Sequence, residues 1–333
     1  MSIRVSSSIK NVSFLVLGVS FSFLAQIGFY GYGKDFFYSY SHSNTNYANP
    51  NFYSFVDILG WYFATFTIFN VHIGIFITSA ILALGVGKLL LSKFNSITLN
   101  QVLFLLIIYI FLLHTWPVIM ATSNAMRQGL TMGVFYLFIA KMDSNGSSKA
   151  FMLLLLFLMA LLHKSGIVFV CLFFLIYFSK RYLRFSSKIT KMALYLIFCI
   201  AIGVVLKQKW PEPAGHAVGL DLTIPFLIIG TGFLYAYLFH KKKPDYSSDF
   251  LVGLVFFNFT LTFLGFNWQV ERLWMMSIIL IMIELSILLK GNQKVITLFW
   301  LSALLFVFTF ASGMYSNLSH FGQLYENSKV VIY

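Results

Sequence analysis

At 333 residues, 59% hydrophobic and only 10% charged, with a mean hydropathy of +0.84, the chain has the composition of a polytopic membrane protein and carries no soluble catalytic domain. Lys and Arg outnumber acids 23 to 10, giving a net charge of +13. In such a protein that excess marks cytoplasmic loops rather than nucleic-acid binding. Thirty-nine Phe and 18 Tyr suit lipid-facing and interfacial packing. No long polar block divides the apolar runs, so the pattern predicts an all-α, polytopic helical bundle forming a single transmembrane domain over residues 1–333.

In chain order, Arg4 and Lys10 precede the apolar run Val12–Phe29, read as a retained, cytoplasm-first span rather than a cleaved signal peptide. The external loop of residues 31–70 follows. It holds Gly33-Lys34-Asp35, an aromatic run, and the aromatic stretch Asn51–Asn70 with Asp57, assigned to the membrane interface. Val71–Leu91 and Val102–His114 read as spans. A helix from about Ser123 to Ala140 follows, opened by the capping cluster Thr122-Ser123-Asn124.

The run Ala150–Phe178 decides the topology. Crossed once, it would put Lys180, Arg181, Arg184, Lys188, Lys191 and Lys241–Lys243 outside. If it rises to His163-Lys164-Ser165-Gly166 and returns, these join Lys290 and Lys294 on the cytoplasmic side. The alternative makes Asn51–Asn70 a span and strands Lys88, Lys93, Lys141 and Lys149 outside. We therefore expect a broken, re-entrant-like helix pair, a feature tolerated at membrane depth only where it is buried in protein or lines a wet cavity. Beyond it come Met192–Leu206, an external loop at residues 207–221, and spans at Leu222–Phe239, Phe250–Phe266, Leu273–Leu289 and Val295–Met314.

Few residues inside this apolar frame carry chemistry. Arg127 falls in the first helical turn after the cap, where a cation opposes the helix dipole but a bound anion is favoured by dipole and free N–H groups alike. Charge at mid-membrane costs about 2.5–3.5 kcal/mol, and acids are scarce, so an anionic ligand is the expected partner. If both flanking runs are helical, Arg127 and His163 stand at the same level, about 20 Å above the cytoplasmic face. His163 can donate to a phosphate or accept a hydroxyl proton. Gln128 and Lys164 neighbour them. Glu271 and Arg272 open a later helix, and Asp35 is a loop carboxylate able to position a hydroxyl or act as a base. Competing readings are a snorkelling Arg127 and Lys164, a packing His163, a local Glu271–Arg272 ion pair and a solvated Asp35. The sequence has no metal, Walker or GxSxG motif. Cys171 and Cys199 lie in apolar runs and suggest neither disulfide nor zinc.

Gly33-Lys34-Asp35, Asn124-Ala-Met-Arg127-Gln128-Gly129-Leu130, and His163-Lys164-Ser165 about 36 residues further on, with a weaker echo at Glu271-Arg272, resemble the EpsG-type, Wzy-like polymerases of bacterial surface polysaccharides such as O-antigen. The likeness covers the first half of the chain by motif and the second by hydropathy. A usual Ala after Arg-Gln is absent, as is a Glu after the first external loop. The resemblance implies a GT-C-like membrane glycosyltransferase in the bacterial inner membrane, its active site facing the periplasm and needing no cofactor. It further implies polymerisation of undecaprenyl-diphosphate-linked oligosaccharides among membrane lipids, with a chain-length regulator protein as a partner. In that setting Arg127, His163 and Asp35 are the catalytic candidates, and Arg127, Gln128, Lys164, Glu271 and Arg272 the substrate-binding ones. A flippase for lipid-linked sugars and a membrane acyltransferase are the alternatives.

The topology is directly testable. Cysteines placed at Ser147 and Ser186 are expected to label from the same, cytoplasmic side. Labelling from opposite sides ends the re-entrant reading.

Overall fold

The computed structural model describes residues 7–25, 57–69, 71–94, 99–123, 126–142, 148–183, 187–209, 223–239, 245–266, 268–289 and 293–311. Every regular element among them is an α-helix. These are α1 (Ser7–Ala25), α2 (Ile58–Phe69), α3 (Val71–Lys93), α4 (Leu99–Leu113), α5 (Trp116–Ser123), α6 (Met126–Met142), α7 (Lys149–Leu162), α8 (Ser165–Tyr182), α9 (Lys188–Lys209), α10 (Thr223–Phe239), α11 (Tyr246–Phe263), α12 (Trp268–Ile287) and α13 (Gln293–Ala311). Five are long and apolar enough to cross a membrane, and the bent pair α4–α5 makes a sixth if counted as one span. The protein is a multi-pass helical membrane bundle. Of the two expected external loops, only Asp57–Phe69 of the first and Lys207–Lys209 of the second lie within the described residues.

Two compact units emerge, Met1–Phe169 with Val295–Tyr333, and Val170–Lys294. In the first, α6 is the central helix, buried on nearly every side from Met126 to Ala140. A helix apolar all round must be enclosed, and α3 encloses it most closely. The backbones meet at paired glycines: a Cβ on Gly85 would lie 2.4 Å from the Gly133 carbonyl oxygen, and one on Gly133 2.7 Å from that of Ile81. Small residues permit such approach where lipid offers no hydrophobic drive. Phe135 of α6 stacks on Phe169 at 4.5 Å, seating the first turns of α8.

The α4–α5 pair was not foreseen as such. The chain bends by 57° between Leu113 and Trp116. Thr115 offers its carbonyl to the N–H groups of Val118 and Ile119, and Pro117 sits in the first turn of α5, where its missing N–H costs nothing. The freed Trp116 N–H donates to Thr309 Oγ1 of α13 at 2.8 Å.

In the second unit α11 is central. Its carboxylate Asp249 is fully buried, accepting from Tyr237 Oη at 2.5 Å and pairing with Lys180 Nζ at 3.2 Å. Lys180 also lies 4.1 Å from the centre of the Tyr246 ring. Buried Glu284 of α12 accepts from the Ser247 and Ser248 hydroxyls, both at 2.7 Å, while Asp245 caps α11 through the Ser248 N–H. Lys188 Nζ donates to the Tyr237 carbonyl at 2.8 Å. These bonds tie α8 to α12 at one end of the unit and give its buried carboxylates partners.

Two glycines separate close packing from helix propensity. Gly133→Leu is expected to destabilise the purified protein by about 1–3 kcal/mol or more, because the obstruction is backbone. Gly232 has nothing within 4 Å of a built Cβ, so Gly232→Ala is expected to be neutral or mildly stabilising. Thermal unfolding in detergent checks both.

Candidate functional site

The break between α7 and α8 organises the first unit's polar end. His163 caps α7 in extended backbone, φ −159° and ψ 146°. The chain then bends so sharply that a Cβ on Gly166 would meet the Met159 carbonyl oxygen at 1.9 Å. Glycine is what lets the new helix start there. Gly166 N–H donates to the His163 carbonyl at 2.8 Å and Ile167 N–H to that of Lys164 at 3.2 Å, so two of the first-turn N–H groups of α8 find acceptors in the break itself. The helix is thus broken at His163-Lys164. At 14 residues α7 is about 21 Å long, short of a full hydrocarbon crossing, whereas α8 at 18 residues is about 27 Å.

Against this break lies α2, a 12-residue helix of about 18 Å, too short to span. Its Gly60, Ala64 and Thr67 form a buried face at helical spacing while Leu59, Tyr62 and Phe66 are exposed. Gly60 approaches the carbonyl oxygen of Leu162 so closely that a Cβ would sit 1.9 Å from it, and 3.2 Å from Arg127 Cδ. One small residue therefore joins α2, the end of α7 and the start of α6.

That contact assembles the site. Arg127, second residue of α6, pairs through Nη1 with Asp57 Oδ2 at 3.3 Å and lies 3.6 Å from the centre of the Trp61 ring. Asp57 is only 2% exposed. Breaking such a pair from one side costs about 3–5 kcal/mol, and a desolvated cation–π contact adds about 2 kcal/mol. Asp57 precedes α2, outside any spanning helix. Burial raises its pKa, against the lowering pull of Lys164 first and Arg127 second. Lys164, exposed at the break, is therefore a second cation acting on the same carboxylate. The Asp57 backbone N–H and the Trp61 indole add weaker lowering contributions, but Oδ1 itself is buried with no hydrogen bond of good geometry.

Ser165 fixes the His163 tautomer. Its hydroxyl is 2.8 Å from His163 Nδ1, and its backbone N–H donates to the same nitrogen at 3.2 Å. A backbone N–H can only donate, so Nδ1 is the acceptor and the neutral ring carries its proton on Nε2. His163 is set to donate a hydrogen bond.

Of the residues singled out by sequence, Arg127, Gln128, His163 and Lys164 belong to this end of the first unit, with Gln128 buried one position after Arg127. Glu271 and Arg272 belong to the second unit, in the first turn of α12. Asp35 and Asn124 lie outside the described residues. The expectation that Arg127 lacks a protein counter-charge is corrected: Asp57 supplies it. The two are 70 residues apart, so no local pattern links them. The available signal was an acid in an otherwise apolar, aromatic stretch. Trp61 was missed for the same reason. Among the described residues no cluster of His, Cys, Asp and Glu could hold a metal.

No family model, curated protein or solved structure matches the chain.

Proposed function

We propose that the protein is a membrane glycosyltransferase that joins lipid-diphosphate-linked oligosaccharides on the outer face of the bacterial inner membrane, acting as a polymerase of surface polysaccharide. The observation that carries this reading is that two cations, Arg127 and Lys164, act on one carboxylate at the start of a buried helix. Among the described residues two cations meet one carboxylate here, Arg127 lying in the first turn of α6, and an anion such as a diphosphate is suited to a helix N-terminus of this kind. The resemblance of Arg127-Gln128 and His163-Lys164-Ser165 to Wzy-like polymerases supports the same chemistry, and with it a GT-C-like architecture.

In this reading the donor sugar is linked through C1 to the lipid diphosphate. As the C1–O bond breaks, its electron pair leaves with the diphosphate, whose growing charge Arg127, Lys164 and the Nε2–H of His163 stabilise in place. An acceptor hydroxyl attacks C1 from the opposite face and inverts it. Arg127 is suited to the leaving group because its planar fork matches two phosphate oxygens, and Trp61 holds that fork flat.

Deletion of the gene followed by complementation tests this with surface polysaccharide resolved on a gel. Arg127→Lys keeps the charge opposite Asp57, so it is expected to insert normally and yet lose most long-chain polymer. Arg127→Ala is expected to reduce transfer by about 10²–10³, leaving single-repeat product. Wild-type ladders from well-inserted Arg127→Ala would end this reading. Total loss of surface polysaccharide on deletion would point to a flippase instead.

A further inference from the structure

We infer that Asp57 is the proton acceptor for the incoming sugar hydroxyl, held in reserve by Arg127 until a lipid diphosphate draws that arginine away. This inference rests on the glycosyl-transfer reading above and adds to it a catalytic residue and an order of events.

The first support is the orphaned oxygen. A buried carboxylate oxygen with no hydrogen bond is costly and calls for a reason. Asp57 Oδ1 is such an atom, on a side chain 2% exposed and directly beside the two proposed diphosphate cations. A sugar hydroxyl donating to Oδ1 would supply the missing bond and present its proton at the position from which it must leave.

The second support is the state of His163. With Nδ1 occupied by the Ser165 N–H and hydroxyl, the neutral ring offers a donor at Nε2 and no free lone pair. A base must accept, so the role falls to another group, and Asp57 is the carboxylate at this end of the described first unit. Serving as donor, His163 belongs with the leaving group.

Exchange of partners links the two substrates. In the structure Arg127 holds Asp57 Oδ2 at 3.3 Å, which stabilises the anion and makes it a weaker base than burial alone would make it. A diphosphate competes for the same guanidinium with more charge and more oxygens. Once Arg127 turns to it, the carboxylate has lost one neighbouring cation and gained a nearby anion, and both changes strengthen its hold on a proton. Among the described residues the charged groups acting on Asp57 are Arg127 from α6 and Lys164 from the helix break, with the Trp61 indole from α2 beside them. The acceptor O–H proton then passes to Asp57, the oxygen lone pair forms the bond to C1, and the C1–O electron pair departs with the diphosphate. Asp57 afterwards returns the proton to water or to the released diphosphate. Donor binding therefore precedes activation of the acceptor, which disfavours transfer without a donor in place.

The test combines polymer ladders in the complemented deletion strain with binding of inorganic pyrophosphate and farnesyl diphosphate to full-length protein in nanodiscs. Asp57→Asn preserves shape but removes the counter-charge of Arg127, so it is expected to be less stable and is compared at matched amounts of inserted protein, where it is expected to lose about 10²–10⁴ in transfer and to bind farnesyl diphosphate as well as or better than wild type, because Arg127 is no longer held back. Asp57→Glu, which keeps a carboxylate, is expected to recover part of the activity. His163→Gln, which keeps an N–H donor, is expected to weaken diphosphate binding and retain measurable transfer. Wild-type ladders from Asp57→Asn overturn the assignment, as does equal loss of farnesyl diphosphate binding in Asp57→Asn and Asp57→Glu, which would make Asp57 purely structural. Failure of the underlying reading looks different: Arg127→Ala and Lys164→Ala would both bind farnesyl diphosphate like wild type.

Discussion

The ion pair between Asp57 and Arg127, roofed by Trp61, is the constraint on which the polar end of the first unit depends. Each partner is intolerable alone: a carboxylate buried in an apolar bundle and a guanidinium in the first turn of a buried helix are both strongly penalised. Together they are tolerable, with Lys164 as a further cation acting on the same carboxylate. Gly60 makes the meeting possible, since any side chain there would push α2 away from Leu162 and carry Asp57 and Trp61 with it.

The surrounding helices supply rigidity. Arg127 sits on α6, locked to α3 by glycine-mediated backbone contact and to the first turns of α8 by the Phe135–Phe169 stack. The break carrying His163 and Lys164 is closed by its own hydrogen bonds. Cations held on packed helices need not reorganise when charge develops on a ligand, which is the condition under which they contribute most to catalysis.

Much of this was legible in the sequence, and the exceptions share a cause. Long apolar helices such as α3, α9 and α13 follow from hydropathy alone. The break at His163 was legible because a polar tetrapeptide ending in glycine interrupts an apolar run. The bend before Trp116 was not, because Thr115 replaces backbone bonds from within an apolar context, and only Pro117 betrays it. Arg127 could be recognised as an anomaly, since a cation early in a buried helix needs a partner. Its partner could not, because pairing across 70 residues is a property of how α2 folds back. Scarcity of acids across the whole chain misled on that point: one acid in the right place is enough.

The correction alters how the site should be understood. Had Arg127 been left unpaired, the membrane would impose a standing penalty that only constant occupancy by an anion could relieve. With Asp57 as internal counter-ion, the arginine is stable without any ligand, and an anionic ligand would have to compete for it. On the proposed reading, affinity is reduced by the strength of the internal pair, so polyvalent anions that can outbid a single carboxylate would be favoured and a monoanion would gain little by entering. A phosphate diester of the lipid bilayer carries one charge, whereas a diphosphate carries more and can engage Arg127 and Lys164 together. On that reading, the pair that stabilises this end of the bundle would also discriminate against the lipid headgroups surrounding it.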